Sequence, residues 1–297
     1  MKGLFLGVAF MFAGIAPVMA VETGNSRGGF ESRPSGGVIS ERVTGDATRQ
    51  PYFLYVPQRG GANAPVFVTV HGISRNAREH AERFASFAER YGVVLIAPYF
   101  SKYRFPDYQR LGREGKGARA DLALDRIVDD VGRLTGAQTG KLFLFGYSGG
   151  AQFVHRYTLA HPERVAKVVL GAPGWYTFPD PTLKYPKGIA PAKSLPGVAF
   201  DPAAFLAIPT CVLVGERDVR QDVALNKSPK IAQQQGSTRL ERGEHWIAAM
   251  ARAAEAQGLK TSYTFHTLPR SRHSYTQSMV RGGMGEMVFD CLFGNEK

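Results

Sequence analysis

Ser148 is the first residue whose setting could support chemistry, because it stands at the centre of a G-x-S-x-G motif. The apolar run Leu142–Phe145 comes just before the motif, and a stretch with helical spacing comes just after it. In a strand, turn and helix arrangement, this motif forms a sharp turn that exposes the serine hydroxyl. Gly146, Tyr147 and Gly150 complete the turn, and the two glycines lack side chains that would collide with neighbouring backbone. The motif therefore predicts a nucleophile elbow.

A histidine and an acid stand where they could activate this serine. His273 follows the last strand-like run, and it is the only one of the seven histidines with that placement near the C-terminus. We therefore predict that it is the general base. Another strand-like run ends in a loop that carries Asp218, with Glu216 and Asp222 as alternatives. An acid there would select the tautomer of the histidine and stabilise its charged form.

Two backbone amides are candidates for an oxyanion hole. The N–H of Gly149 directly follows the serine and lies at the positive end of a helix dipole. The second donor is expected after the strand-like run that ends at His71. The N–H of Ile73 fits that position best, with Ser74 as the alternative, and we expect His71 to have a structural role.

Apolar runs and stretches with helical spacing alternate along the chain. The strand-like runs are Tyr52–Val56, Val66–Val70, Val93–Ala97, Leu142–Phe145, Val168–Leu170, Thr210–Val214 and Tyr263–Thr267. The helical stretches are Ala77–Tyr91, Arg119–Leu134, Ser148–His161 and Glu244–Gln257. Short runs that are almost wholly apolar are typical of strands buried on both faces of a parallel sheet. The alternation predicts one α/β domain with helices on both faces of a mostly parallel sheet.

The N-terminus resembles a secretory leader. Residues 1–20 begin with Met1 and Lys2, continue without charge and end on the small residue Ala20, so we predict a signal peptide, with an uncleaved membrane anchor as the alternative. Residues 21–37 are rich in Gly and Ser and should form a flexible N-terminal segment. The folded domain is then expected at 38–297, in a secreted or periplasmic protein.

A segment at about 173–202 is too long and too rich in proline for a simple loop. We expect a lid-like insertion ahead of the strand that leads to the acid, with a solvent-exposed excursion as the alternative. Its aromatic residues Trp175 and Tyr176 are substrate-pocket candidates. Arg270 and Arg272, near His273, are candidates too, because a basic rim would attract an anionic substrate.

Composition excludes several classes of protein. Hydrophobic residues are 44% and charged residues 21%, as in ordinary globular domains. Lys and Arg exceed Asp and Glu by 12, but they are scattered and accompany no recognition motif, so we do not expect a nucleic-acid partner. Cys211 and Cys291 are permitted to form a disulfide, although two buried free thiols are slightly favoured. Neither cysteine has a partner at zinc spacing.

The order Ser148, Asp218, His273 resembles that of the α/β-hydrolase superfamily. Tyr52–Pro57, leading into His71 and Gly72, further resembles the polyhydroxybutyrate-depolymerase and feruloyl-esterase-like branch. The resemblance covers about residues 40–295. It implies an acyl-enzyme mechanism on a carboxylic ester, with no metal and no organic cofactor.

These observations predict a secreted or periplasmic serine hydrolase that acts on a small or polymeric ester. The same three side chains would also support peptidase, amidase or thioesterase chemistry, since the bond cleaved is not set by the fold. A non-catalytic binding protein with this fold is a further alternative. We expect no stable membrane insertion after cleavage of the leader, and the sequence leaves the oligomeric state open.

Overall fold

A nine-stranded sheet organises the computed structural model, which describes Val21–Glu22 and residues 34–294. The strands are β1 Val21–Glu22, β2 Ile39–Val43, β3 Pro51–Tyr55, β4 Pro65–Val70, β5 Val94–Pro98, β6 Gln138–Tyr147, β7 Val165–Gly171, β8 Thr210–Gly215 and β9 Tyr263–Leu268. Their spatial order is β1-β2-β3-β5-β4-β6-β7-β8-β9. Only β3 runs antiparallel to its neighbours, β2 and β5. The sheet is therefore mixed and mostly parallel, as predicted.

Eight α-helices connect these strands within the described residues. They are α1 Ala77–Tyr91, α2 Ala120–Thr135, α3 Gly149–Ala160, α4 Pro202–Leu206, α5 Pro229–Gln235, α6 Arg239–Ala256, α7 Tyr275–Arg281 and α8 Met284–Phe293. Every residue of β5 and of β8 is buried. Because successive side chains of a strand point to opposite faces, both faces of the sheet are covered. This confirms the predicted layering.

Apolar runs and helical spacing in the sequence correctly predicted most strands and the four longest connecting helices. All seven predicted strands are present as β3 to β9, and the four helical stretches correspond to α1, α2, α3 and α6. The pattern did not reveal β2, in which only Ile39 is buried and which includes the charged residues Glu41 and Arg42. It also missed α4, α5 and α7, because five to seven residues are too few for a helical period to show.

The insertion predicted at about 173–202 lies between β7 and α4. Apart from an isolated bridge between Lys184 and Ala190, it contains no strand or helix. The predicted signal peptide, residues 1–20, lies outside the described residues, as does most of the predicted flexible segment. Among the residues that the structure describes, no helix has the length and apolarity needed to cross a membrane.

Cys211 in β8 and Cys291 in α8 form a disulfide, with a Cα–Cα separation of 6.3 Å. The slight preference for two free thiols was therefore wrong. Helix α8 reaches the sheet through aromatic contacts, with the Phe289 ring centroid 4.9 Å from that of Phe67 in β4. This long-range docking brings together two cysteines that are 80 positions apart, and spacing along the chain could not reveal it.

We expect the double variant Cys211→Ser/Cys291→Ser to lose about 2–5 kcal/mol of unfolding free energy. Closing a loop of 80 residues restricts the unfolded chain, and the variant restores that freedom. Urea unfolding of the variant and the parent protein measures the loss. Reduction of the parent should move its midpoint to that of the variant. An unchanged midpoint in both experiments would contradict a stabilising disulfide.

Candidate active site

The side chains predicted to do chemistry follow three strands of the same parallel part of the sheet. Ser148 follows β6, Asp218 follows β8 by three residues, and His273 follows β9 by five. Strand β7 lies between β6 and β8, and all these strands are parallel. Since the carboxyl ends of parallel strands share an edge, the loops after them meet there.

The turn at Ser148 has the strained backbone that the motif predicts. Its φ is 53° and its ψ is −110°, a conformation that side-chain-bearing residues rarely adopt. A β-carbon on Gly146 would overlap the Gly150 carbonyl, and one on Gly150 would overlap the Val70 carbonyl. The two glycines therefore allow β6, the turn and α3 to pack closely while Ser148 projects from the edge.

We expect Gly150→Ala to destabilise the fold by about 3 kcal/mol or more, because the added methyl group would overlap backbone that the sheet holds in place. Gly140→Ala is the matched control. A β-carbon on Gly140 meets no atom within 4 Å, so its effect should stay within about 0.5 kcal/mol. Urea unfolding measures both variants. Similar stabilities of the two would contradict the close approach at residue 150.

Backbone hydrogen bonds join the loop of the acid to the loop of the histidine. The N–H of Glu216 donates to the Leu268 carbonyl at 3.0 Å, and the N–H of Arg217 donates to the Ser271 carbonyl at 2.9 Å. A β-carbon on Gly215 would overlap that same Ser271 carbonyl. The two loops are thus held together as one unit, which fixes the distance between their side chains.

The structure brings the predicted acid, base and nucleophile into one hydrogen-bonded chain. His273 Nδ1 lies 2.7 Å from Asp218 Oδ2, and His273 Nε2 lies 3.0 Å from Ser148 Oγ. The Asp218 side chain is 1% exposed and that of His273 is 18% exposed. A carboxylate can only accept at Nδ1–H, so Nε2 is left free to accept the serine proton.

Neither alternative acid makes a contact with His273 of this kind. Glu216 Oε1 accepts a hydrogen bond from the N–H of Arg270 at 2.5 Å, and Asp222 is paired with Arg239. Geometry therefore selects Asp218 as the acid beside the histidine. Its catalytic role stays a prediction.

The two residues predicted to supply the oxyanion donors, Gly149 and Ile73, lie next to each other beside the elbow. Gly149 is the first residue of α3, so its N–H has no carbonyl partner within the helix. A β-carbon on Gly149 would lie 3.2 Å from Ile73 Cγ2, which places the Ile73 loop against the elbow. The same position lies 2.6 Å from the Tyr108 hydroxyl and 2.7 Å from Gln109 Nε2. These two polar side chains near the serine were not predicted from the sequence.

His71 has the structural contacts that the sequence suggested. It is fully buried, its Nδ1 lies 2.8 Å from the Gly72 carbonyl, and its Nε2 accepts from the N–H of Phe100 at 3.1 Å. Burial lowers the pKa of His71 to about 4. A neutral imidazole with both nitrogens engaged is suited to holding the loop that carries Ile73.

The four substrate-pocket candidates have different surroundings. Tyr176 is fully buried, with its ring stacked at 4.8 Å on that of Trp246. Trp175 is almost fully buried beneath the guanidinium of Arg156. Arg270 and Arg272, in contrast, are exposed on the loop that carries His273. Of the four candidates, Arg270 and Arg272 are thus the two that solvent reaches freely.

The sequence did not single out Arg239, which contacts the acid. Arg239 is 1% exposed and lies at the start of α6, and its Nη1 donates to Asp218 Oδ1 at 3.2 Å. It also pairs with Asp222. The sequence marks Asp222 only as an alternative acid. No local pattern marks this arginine, because its partners come from a loop that folds onto the helix.

One group of potential metal ligands is present among the described residues. Cys211, Cys291 and His266 have ligand atoms within 4.8 Å of one another. The two sulfurs are bonded to each other, so no thiolate is available to bind a cation. Cys211 is the second residue of β8, whereas the acid follows the other end of that strand.

Solved structures resemble this chain, although no family model and no curated protein matches it. Poly(aspartic acid) hydrolase-1 from Sphingomonas sp. KT-1 is 25% identical, with a TM-score of 0.72 over 86% of this chain and 99% of that one. LpqC, a poly(3-hydroxybutyrate) depolymerase from Bordetella parapertussis, is 27% identical, with a TM-score of 0.68 over 84% of this chain and 86% of that one.

A third structure shares the fold alone. FphF, a fluorophosphonate-binding serine hydrolase from Staphylococcus aureus, is 14% identical, with a TM-score of 0.57 over 89% of this chain and 100% of that one. The mixed sheet, the strained turn after β6 and these likenesses agree with the resemblance in the sequence. The chain has the α/β-hydrolase fold.

Proposed function

We propose that this protein is a secreted or periplasmic serine hydrolase that cleaves carboxylic esters. The observation that carries the proposal is the chain of contacts from Asp218 through His273 to Ser148 on a strained elbow. Export is supported by the leader-like residues 1–20 and by the disulfide, since disulfides persist in oxidising compartments.

In the proposed reaction, Ser148 Oγ attacks the ester carbonyl carbon while His273 Nε2 takes the hydroxyl proton. The carbonyl oxygen becomes an oxyanion that the N–H groups of Gly149 and Ile73 stabilise. His273 then gives its proton to the departing alkoxide, and the acyl group stays on Ser148. A water molecule attacks this acyl-enzyme by the same route in reverse, releasing the acid and restoring the serine. Asp218 stabilises the positive charge on His273 in each half.

Hydrolysis of a series of p-nitrophenyl esters, from acetate to long acyl chains, tests this proposal. We expect turnover whose dependence on chain length reports the size of the acyl site. A fluorophosphonate should inactivate the protein, and peptide mapping should find the adduct on Ser148. Failure of both turnover and labelling would overturn the proposal and favour a binding protein with this fold.

A second candidate is hydrolysis of amide bonds in an anionic polymer. The observation that favours it is the pair of exposed arginines, Arg270 and Arg272, on the loop of the histidine in a chain of net charge +12. A polymer of negative charge would gain affinity from such a rim, and salt would screen that gain. The chain's similarity to a poly(aspartic acid) hydrolase supports a test of this substrate class.

Initial rates on a neutral ester and on its carboxylated analogue, at low and at high salt, separate the two candidates. An anionic preference that salt removes and that Arg270→Gln/Arg272→Gln abolishes would favour the second. Arg281→Gln, an exposed arginine on α7, is the control. Release of amine groups from poly(aspartic acid) then tests the bond itself. Equal kcat/KM for both esters at low salt would count against an anionic substrate.

A further inference from the structure

A buried arginine joins the acid beside the histidine to a second carboxylate. Arg239 Nη1 lies 3.2 Å from Asp218 Oδ1 and 2.8 Å from Asp222 Oδ2, and Arg239 Nη2 lies 3.0 Å from Asp222 Oδ1. The guanidinium therefore binds Asp222 through two nitrogens and Asp218 through one longer contact. The two oxygens of Asp218 are thus divided, one facing Arg239 and the other facing His273.

Asp218, Arg239 and Asp222 are in direct contact, so their charges act together on His273. An arginine with Asp218 as its only partner would cancel the negative charge that stabilises a protonated His273. Asp222 supplies a second negative charge, so the three groups carry a net charge of −1. The contacts of Arg239 with Asp222 are shorter than its contact with Asp218. The hydrogen bond from Arg239 lowers the pKa of Asp222 to about 2. Asp222 is therefore ionised at neutral pH.

We propose that Arg239 and Asp222 form a clamp that positions Asp218 and preserves its charge for His273. Arg239 holds one carboxylate oxygen, which orients the other toward Nδ1 of the histidine. Asp222 neutralises the guanidinium, so that the orientation is obtained without loss of charge at Asp218. Arg239 and Asp222 are positioning residues, since neither touches the serine or the reacting atoms. The inference rests on the proposed function of the serine and histidine.

Other ionisable groups lie on the elements around His273. The Tyr147 ring stacks on the imidazole at 5.5 Å, and burial raises the pKa of Tyr147, so it stays neutral. Charged side chains on the acid loop, at the start of α6 and on the histidine's own loop are Glu216, Arg217, Asp218, Arg220, Asp222, Arg239, Arg242, Arg270 and Arg272. Of these, Asp218, Asp222 and Arg239 form the connected cluster, and apart from the control all the variants below change this cluster alone.

The pH profile of kcat/KM tests the clamp, because its acid limb reports protonation of the essential base in the free enzyme. Asp222→Asn leaves Arg239 with Asp218 alone, so the midpoint of the acid limb should fall by about one pH unit. Arg239→Gln removes the cation and leaves two carboxylates, so the midpoint should rise by about the same amount. The double variant keeps the net charge of −1, and its midpoint should return close to that of the parent.

Arg239→Lys separates charge from orientation. A lysine keeps the cation but lacks the planar fork that binds two carboxylates. We therefore expect a midpoint near that of the parent together with a lower kcat. Glu244→Gln is the matched control, because it removes one exposed carboxylate from the same helix and should leave both values unchanged.

Thermal unfolding of each variant shows whether it is folded before its profile is read. The low-field proton resonance of Nδ1–H in His273 gives a readout that does not depend on turnover, and its titration should shift in the same directions. The clamp would be overturned if Asp222→Asn and Arg239→Gln moved the midpoint in the same direction. It would also be overturned if neither folded variant moved the midpoint. Absence of ester turnover by the parent protein would instead overturn the proposed function.

Discussion

Replacement of Ser148 by alanine is expected to lower kcat for ester hydrolysis by about 10⁶-fold, the size of the loss when a serine nucleophile is removed elsewhere. In this protein, Ser148 Oγ is the group that His273 Nε2 contacts, at 3.0 Å. Alanine removes the atom that must bond to the carbonyl carbon. Burst and steady-state assays with p-nitrophenyl esters measure the effect, with unfolding curves to show that the fold is kept.

Replacement of His273 tests whether Ser148 and His273 act as a unit. His273→Ala should be nearly as inactive as Ser148→Ala, and the double variant should be no slower than either, because groups that act on one proton transfer are not additive. His266→Ala is the control, since His266 lies within β9 and faces the disulfide rather than the serine. Residual turnover above one part in about 10² in Ser148→Ala would contradict the assignment of the nucleophile.

Asp218→Asn is expected to lower kcat by about 10⁴-fold, as the same change does in a well-studied serine protease. Arg239 Nη1 would still donate to the amide oxygen at position 218, which turns the amide NH₂ toward His273. A donor at that place demands an acceptor at Nδ1, so the ring would take the tautomer with its proton on Nε2. That tautomer cannot accept the proton of Ser148.

The alternative acids provide the control for this change. Glu216→Gln removes a carboxylate from the same loop, but Glu216 bonds to the backbone of Arg270 and not to the imidazole. We expect its kcat to stay within about threefold of the parent value, because exposed charges in this setting act weakly. A loss comparable with that of Asp218→Asn would transfer the orienting role to Glu216. Steady-state kinetics at the pH of maximal activity decides between them.

The positions of the strands along the chain and the elbow could be predicted from the sequence, because both depend on residues that are close together in the chain. Apolar runs such as Thr210–Val214 are long enough to show that a strand is buried on both faces. Gly146, Ser148 and Gly150 are within four positions of one another, and their spacing predicts the turn directly. The position of His273 after the last strand predicted the second side chain of the site, the general base.

The choice among the three acids needed the folded molecule. Glu216, Asp218 and Asp222 follow the same strand within a few residues, so spacing alone leaves all of them open. Backbone hydrogen bonds between the acid loop and the loop of Ser271 place Asp218 under the imidazole, whereas Asp222 turns toward Arg239. The clamp on Asp218 was invisible in the sequence for the same reason.

The disulfide is the clearest case of a feature decided by distant contacts. Cys211 and Cys291 meet because α8 docks on the sheet through its aromatic residues. Local patterns thus identify the fold, the elbow and the order of the reactive side chains, since hydrophobic periodicity and turn geometry act over a few residues. Tertiary structure alone decides which acid faces the histidine, what holds that acid and which cysteines bond. These contacts depend on the packing of segments that are far apart in the chain.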